Sequence, residues 1–341
     1  MIANKRNFVL VYAFLLSSMT GLAIAQSYTV TDLGSLGGTP TANAINASGE
    51  VVGSSKTAES SITHAFYWTL ATGMVDLGTL GGYVSEAFGI NSHGIIVGGS
   101  NQTENASTDP FIWSPTGGFL ALGINGADYA VNDRGQVAGV SGNNGYAFRW
   151  TRSGGKVLLG TLGGSNTSPY AISPQGDVVG FSFIGNKTYH AFLWNQSAGM
   201  ADLGTLGGIN SYALGINSSA QVVGWATVPG ANFPYHAFFW TKLTGMRDLG
   251  TFGGDYSLAL GINDAGQVVG SADLAGDTQD DAFLWTAGGG MQDLNAAIPQ
   301  NSGWLLNSAN AINGAGQIVG DGTYNGEPHA FLLTPAGAPL R

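Results

Sequence analysis

From residue 28 onward, four short apolar runs recur in one fixed order with turn residues between them, and this repeat constrains the fold more than any other feature. The copy from Ser211 to Gly250 shows all four runs: YALGIN, QVVGWA, HAFFW and MRDLG. The glycines closing the VVG-like run are Gly53, Gly98, Gly139, Gly180, Gly224, Gly270 and Gly320, with successive differences of 45, 41, 41, 44, 46 and 50. The phenylalanines of the HAF-like run give the same count: Phe66, Phe111, Phe148, Phe192, Phe238, Phe283 and Phe331. Four strand-like runs at a period of 40–45 residues are what one propeller blade requires. Helices are not expected, since β-branched and aromatic runs alternate with Gly-rich turn signals throughout.

Within each copy the first run ends at Asn46, Asn91, Asn132, Ser173, Asn217, Asn263 or Asn313. Three residues on stands Gly in every copy but one, where Ala220 takes its place. Asn or Ser at the first position and Gly at the fourth suit a type I turn, so the Asn column is read as turn chemistry. Trp68, Trp113, Trp150, Trp194, Trp240 and Trp285 close the third run in six copies, and large rings there suit packing between sheets. The chain after residue 26 opens on a lone fourth-type strand at Tyr28 to Gly34, while the last copy stops after its third run at Thr334. A spare strand at one end and a missing one at the other predict ring closure, which leaves no open edge. The expected fold is therefore all-β: a seven-bladed β-propeller of four-stranded antiparallel blades, closed by the N-terminal strand pairing into the last blade. An open β-solenoid is the competing arrangement.

Residues 1–25 read differently. Lys5 and Arg6 precede an apolar run from Phe8 to Leu16, and Ala23-Ile24-Ala25 follow it ahead of Gln26. That order is expected of a secretory signal peptide cleaved after Ala25, leaving residues 26–341 as one domain. The rest of the chain has no second apolar run of about 18 residues, so no membrane span is expected after signal cleavage. The anticipated location is secreted, periplasmic or cell-surface. There is no cysteine, which excludes disulfides and thiolate chemistry. A net charge of −10 repels phosphate backbones, so nucleic acid is not an expected partner. The expected state is a monomer.

The motifs His64-Ala65-Phe66, His190-Ala191-Phe192, His236-Ala237-Phe238 and His329-Ala330-Phe331, with the DLGTLGG stretches at Asp76 to Gly82 and Asp202 to Gly208, resemble the HAF-repeat family over the whole chain after the leader. The resemblance implies an exported bacterial repeat protein of propeller type. It implies no catalytic residues.

At the first position of the HAF run the copies read His64, Asp109, Tyr146, His190, His236, Asp281 and His329. At the Asp position of the fourth run they read Asp76, Ala121, Leu158, Asp202, Asp248, Asp293 and, from the N-terminal strand, Asp32. Every His has its Asp as a diagonal neighbour on one face of a hairpin. The pairs His64–Asp76, His190–Asp202, His236–Asp248 and His329–Asp32 are thus expected to be structural hydrogen bonds, because four copies of a catalytic dyad around a ring would be redundant. Asp273, Asp277, Asp280 and Asp281 crowd one loop and form a candidate calcium site, although their spacing lacks the EF-hand order and its terminal Glu. No other cofactor is expected, and no GxSxG or phosphate-cradling loop occurs.

Binding is the remaining reading. The loops between second and third strands vary most between copies, and variable loops on a fixed scaffold commonly make binding surfaces. The same face gathers Tyr83, Tyr129, Tyr170, Tyr212, Trp225, Phe233, Tyr235 and Tyr256, rings of a kind that stack on sugars. The competing reading is that these rings cap the cores of their own blades. The expected function is a binding or scaffolding module with a glycan or a protein as ligand. A propeller hydrolase or lyase acting on polysaccharide, and a purely structural cell-surface repeat, are the alternatives.

Overall fold

The computed structural model describes residues 26–337 except 60–61, 104–107, 122–125, 142–144, 186, 231–232 and 277–278. The leader expected over residues 1–25 lies outside the described residues, as does Asp277.

Among the described residues the regular secondary structure is almost wholly strand, arranged as repeated four-stranded antiparallel sheets. The sheets occupy residues 37–78, 85–121, 126–158, 167–202, 211–248 and 253–293, and are called the first to sixth sheets below. In the fifth sheet the strands are Ser211–Ile216, Val222–Thr227, Tyr235–Thr241 and Gly245–Asp248, each paired with the next. A lone parallel pair, Tyr235 with Tyr256, ties the fifth sheet to the sixth. The last sheet contains Trp304–Ile312, Ile318–Tyr324 and Glu327–Pro335, and takes its fourth strand from Tyr28–Asp32. That strand pairs antiparallel with the third one, from Tyr28 opposite Pro335 to Asp32 opposite Phe331.

The apolar core is divided among the contacts between successive sheets. Val52 and Ala65 of the first sheet pack with Ala87, Ile96 and Phe111 of the second, and Val319, Ala330 and Leu332 of the last pack with Ala42, Val51 and Phe66 of the first. All seven phenylalanines of the HAF-like column are 0% exposed, so each ring fills an interface rather than a surface. The neighbouring glycine column follows from close approach. A Cβ at Gly224 would sit 1.9 Å from the carbonyl oxygen of Tyr212, and one at Gly320 would sit 1.9 Å from that of Ser308.

The Asn column does more than cap turns. In the second sheet, Asn91 Oδ1 accepts from His93 N and Ile95 N, closing the turn, while its Nδ2 donates to the Asn132 carbonyl of the next sheet at 3.1 Å. The pattern continues from Asn46 to Asn91 O, Asn132 to Ser173 O, Asn217 to Asn263 O, Asn263 to Asn313 O and Asn313 to Asn46 O. Ser173 reproduces the turn, with Oγ accepting from Gln175 N and Asp177 N, but has no amide to pass on. Six inter-sheet hydrogen bonds thus rest on a side chain whose carbonyl and amide ends serve two different sheets.

One short helical element departs from the all-strand expectation: a 3-10 turn at Leu294–Ala297. Asp293 caps it by accepting from Asn295 N at 2.7 Å, and Leu294 is buried in the core beneath. It occupies the connection inside the longest repeat spacing, where a surplus of chain must be packed.

Candidate ligand-binding site

In the first strand of every sheet the pairing register skips one residue, the signature of a β-bulge. The skipped residues are Asn43, Phe88, Tyr129, Tyr170, Leu214, Leu260 and Asn310. A bulge breaks the strict alternation of side chains and re-aims one of them. All seven re-aimed residues line one cavity of about 490 Å³, together with Thr41 and Asp321. The repeat therefore builds this cavity with one contribution from each sheet.

Its wall is uneven. Phe88, Tyr129 and Tyr170 form an aromatic arc, with successive ring centroids 5.6 Å apart, and Leu214 and Leu260 extend it. Asn43, Asn310, Thr41 and Asp321 make the polar remainder. Asp321 Oδ1 accepts from Ala42 N at 3.1 Å and Oδ2 from Asn310 Nδ2 at 2.7 Å. Burial nevertheless outweighs these two donors and pushes the Asp321 carboxyl up to about 6. Asp321 stands at a position where the other sheets carry Ser54, Gly99, Val140, Phe181, Trp225 and Ser271.

From Tyr170 the rings run outward as a band. Tyr170 lies 6.3 Å from Tyr212, which stacks on Trp225 at 4.5 Å with planes 22° apart. Trp225 meets Tyr235 at 5.0 Å, and Tyr235 meets Tyr256 at 4.6 Å. Phe181 and Tyr189 of the fourth sheet close on Tyr212 at 4.3 and 4.7 Å. Burial raises the hydroxyls of Tyr129, Tyr170, Tyr212 and Tyr235, so they act as neutral hydrogen-bonding groups. Neighbouring Asp273 and Asp280 add to the rise at Tyr235.

Of the expected ring residues, Tyr212, Trp225, Tyr235 and Tyr256 come together in this band, Tyr129 lines the cavity, and Tyr170 belongs to both. Tyr83, 43% exposed, and Phe233, 67% exposed, make no ring contact with the band among the described residues. Phe88, Phe181, Tyr189, Asn310 and Asp321 were not singled out by sequence. For Phe88 and Asn310 the signal lies in the offset from the turn, three residues before Asn91 and Asn313, as Tyr129 and Tyr170 stand three before Asn132 and Ser173.

The four His–Asp pairs have Nδ1 to Oδ2 distances of 2.8, 2.9, 2.8 and 2.9 Å for His64–Asp76, His190–Asp202, His236–Asp248 and His329–Asp32. A carboxylate only accepts, so Nδ1 carries the proton. Each Asp also accepts from the backbone N–H of the glycine two residues on: Gly78, Gly204, Gly250 and Gly34. The pair therefore fastens the third strand to the turn that leaves the fourth. Of the acidic cluster expected in one loop, Asp273, Asp280 and Asp281 lie instead on two paired strands, Asp273 opposite Asp280, and Asp281 accepts from Gln279 at 2.6 Å. Among the described residues no group of three or more His, Asp or Glu is placed to hold a metal ion.

No family model matches the sequence, and no curated protein sequence matches it. Solved structures do. The chain is similar to TolB from Acinetobacter baumannii, with a TM-score of 0.50 and 12% identity over 71% of this chain and 62% of that one. It is also similar to the Swd1 β-propeller domain of Myceliophteria thermophila, with a TM-score of 0.51 and 10% identity over 90% of this chain and 100% of that one. Streptogramin B lyase matches with a TM-score of 0.51 and 12% identity over 90% of this chain and 98% of that one. The chain thus spans less than two thirds of the TolB chain, and at these identities the likeness shows a propeller fold alone. Among the described residues no helix is long and apolar enough to cross a membrane.

Proposed function

We propose that the chain is an exported HAF-repeat propeller of seven blades, closed by its N-terminal strand, that serves as a binding module. Its ligand is a glycan, stacked along the ring band. The observation that carries this is the unbroken run of half-buried rings from Tyr170 through Tyr212, Trp225 and Tyr235 to Tyr256, which spans three sheets on the side of the variable loops. Flat apolar faces beside neutral hydroxyls match the alternating CH and OH surfaces of sugars. Closure is supported by the pairing of Tyr28–Asp32 with the last sheet, and by Asn313 donating back to Asn46 O.

A glycan array probed with residues 26–341, with and without calcium, tests the reading. Binding that Trp225→Ala abolishes while the fold persists is the expected result. A blank array, or binding indifferent to Trp225, overturns the glycan and turns attention to a protein ligand. Calcium dependence promotes Asp273, Asp280 and Asp281 to a site. Removing residues 26–33 tests closure: the truncated chain is expected to aggregate through the bared edge, and one as stable and monomeric as the parent refutes it.

A further inference from the structure

Among the described residues the cavity made by the seven bulges is lined by one carboxylate and by no Lys, Arg or His. Buried charges in proteins are ordinarily paired, because an unanswered one forfeits its hydration. Asp321 has only neutral donors, the amide of Ala42 and the side chain of Asn310, and these hold both carboxylate oxygens in place without cancelling the charge. The arc of Phe88, Tyr129 and Tyr170 lines the same cavity. The faces of such rings carry negative potential and attract cations. We propose that this cavity is a second binding site, for a small organic ammonium ion, held by the Asp321 carboxylate and by the three rings.

The alternatives fit the lining less well. A divalent metal ion wants six or more oxygen ligands, and one carboxylate among rings and leucines does not supply them. A sugar unit wants several free hydrogen-bonding groups. Asn310, however, spends both amide protons on Ala42 O and Asp321, and its carbonyl oxygen accepts from Ser308. A volume of about 490 Å³ admits choline with room to spare and takes larger ammonium ions as well. The site shares Tyr170 with the inner end of the ring band, while Asp321, Phe88 and Tyr129 belong to the cavity alone.

The probe is choline, compared by calorimetric titration with its neutral carbon isostere 3,3-dimethylbutan-1-ol. Residues 26–341 are expected to bind choline saturably at pH 7 and the isostere roughly tenfold more weakly. Asp321→Asn is expected to remove that preference, and Tyr170→Leu to weaken choline while thermal unfolding shows each variant folded. Choline does not titrate, and the other titratable groups of the lining, Tyr129 and Tyr170, stay neutral. Its affinity is therefore expected to rise by about tenfold between pH 5 and 7 in the parent and not in Asp321→Asn. If Asp321→Asn does not fold, Tyr170→Leu and the pH profile of the parent decide. No saturable choline binding, an isostere that binds equally well, or binding undiminished in the folded variants overturns the proposal.

Discussion

Replacing Asn91 by Ser isolates one rung of the inter-sheet ladder. Asn91 and its acceptor Asn132 are 4% and 6% exposed, so the bond between them competes little with water. The substitution keeps the turn, because Ser173 shows that a hydroxyl in this place receives the same two backbone N–H groups, at 3.2 and 3.1 Å. It leaves no orphan, since Asn132 O still accepts from Gly135 N at 2.9 Å. What is lost is one buried hydrogen bond and a few atoms of packing, together about 1–1.5 kcal/mol. The converse change, Ser173→Asn, supplies the missing donor toward Asn217 O, which among the described residues accepts from Ala220 N alone. Its gain is expected to be about 0.5–1 kcal/mol, smaller because a new rotamer must be fixed. Urea unfolding measures both, and the slopes must match the parent for the comparison to hold. Asn313→Ser adds a test of the seam: it costs at least as much as Asn91→Ser if the last sheet truly abuts the first. A neutral Asn91→Ser, or a costless Asn313→Ser beside a costly Asn91→Ser, would refute the reasoning.

Gly224→Ala should destabilise by roughly 2–3 kcal/mol, because its Cβ meets a backbone carbonyl that has nowhere to go; urea midpoints equal to the parent's would show that the strands can part. Asp321 has its folded carboxyl near 6 against an ordinary 3.8, so between those values the native chain holds protons the unfolded chain has lost. Unfolding free energy therefore falls as pH rises from about 4 to 6, by roughly 2–3 kcal/mol, and stays level above. The difference between parent and Asp321→Asn across that window carries the signal, and parallel curves would contradict it. Asp202→Ala removes both the His190 contact and the cap on Gly204 N, and is expected to cost about 1 kcal/mol with ligand binding intact; lost binding at unchanged stability would make the pair functional.

The sheets were legible in the sequence because the physics of each is repeated. A buried Phe between sheets recurs in every copy and a Gly set close under a carbonyl in six of them, and chance does not produce such columns. The ladder was half legible: Asn and Ser serve a turn equally well, so turn chemistry explains either residue but not why six copies keep Asn. Only the amide end, invisible to local turn rules, separates the two. The extra Leu294–Ala297 turn hid for the opposite reason, being confined to one copy.

Which of the tyrosines share a place was not legible, because a bulge changes the count between ring and turn. Tyr129, Tyr170, Tyr212 and Tyr256 look like one tyrosine column, yet they stand three, three, five and seven residues before their turn positions at Asn132, Ser173, Asn217 and Asn263. A bulge three residues before the turn sends whatever stands there into the cavity, so Tyr129 and Tyr170 line it with Phe88, Leu214 and Leu260, and Tyr170 also reaches Tyr212. Counting from the turn instead of from the ring would have separated the two sets. The same count exposes what a ring of near-identical units must do to become specific. A symmetric lining would offer a ligand the same group in every direction, whereas Asn, Phe, Tyr, Tyr, Leu, Leu and Asn at one position, with a single Asp beside them, give the cavity a polar and an aromatic side. Chemistry in this chain is therefore to be sought where the repeat breaks its own rule, and Asp321 is the sharpest such break.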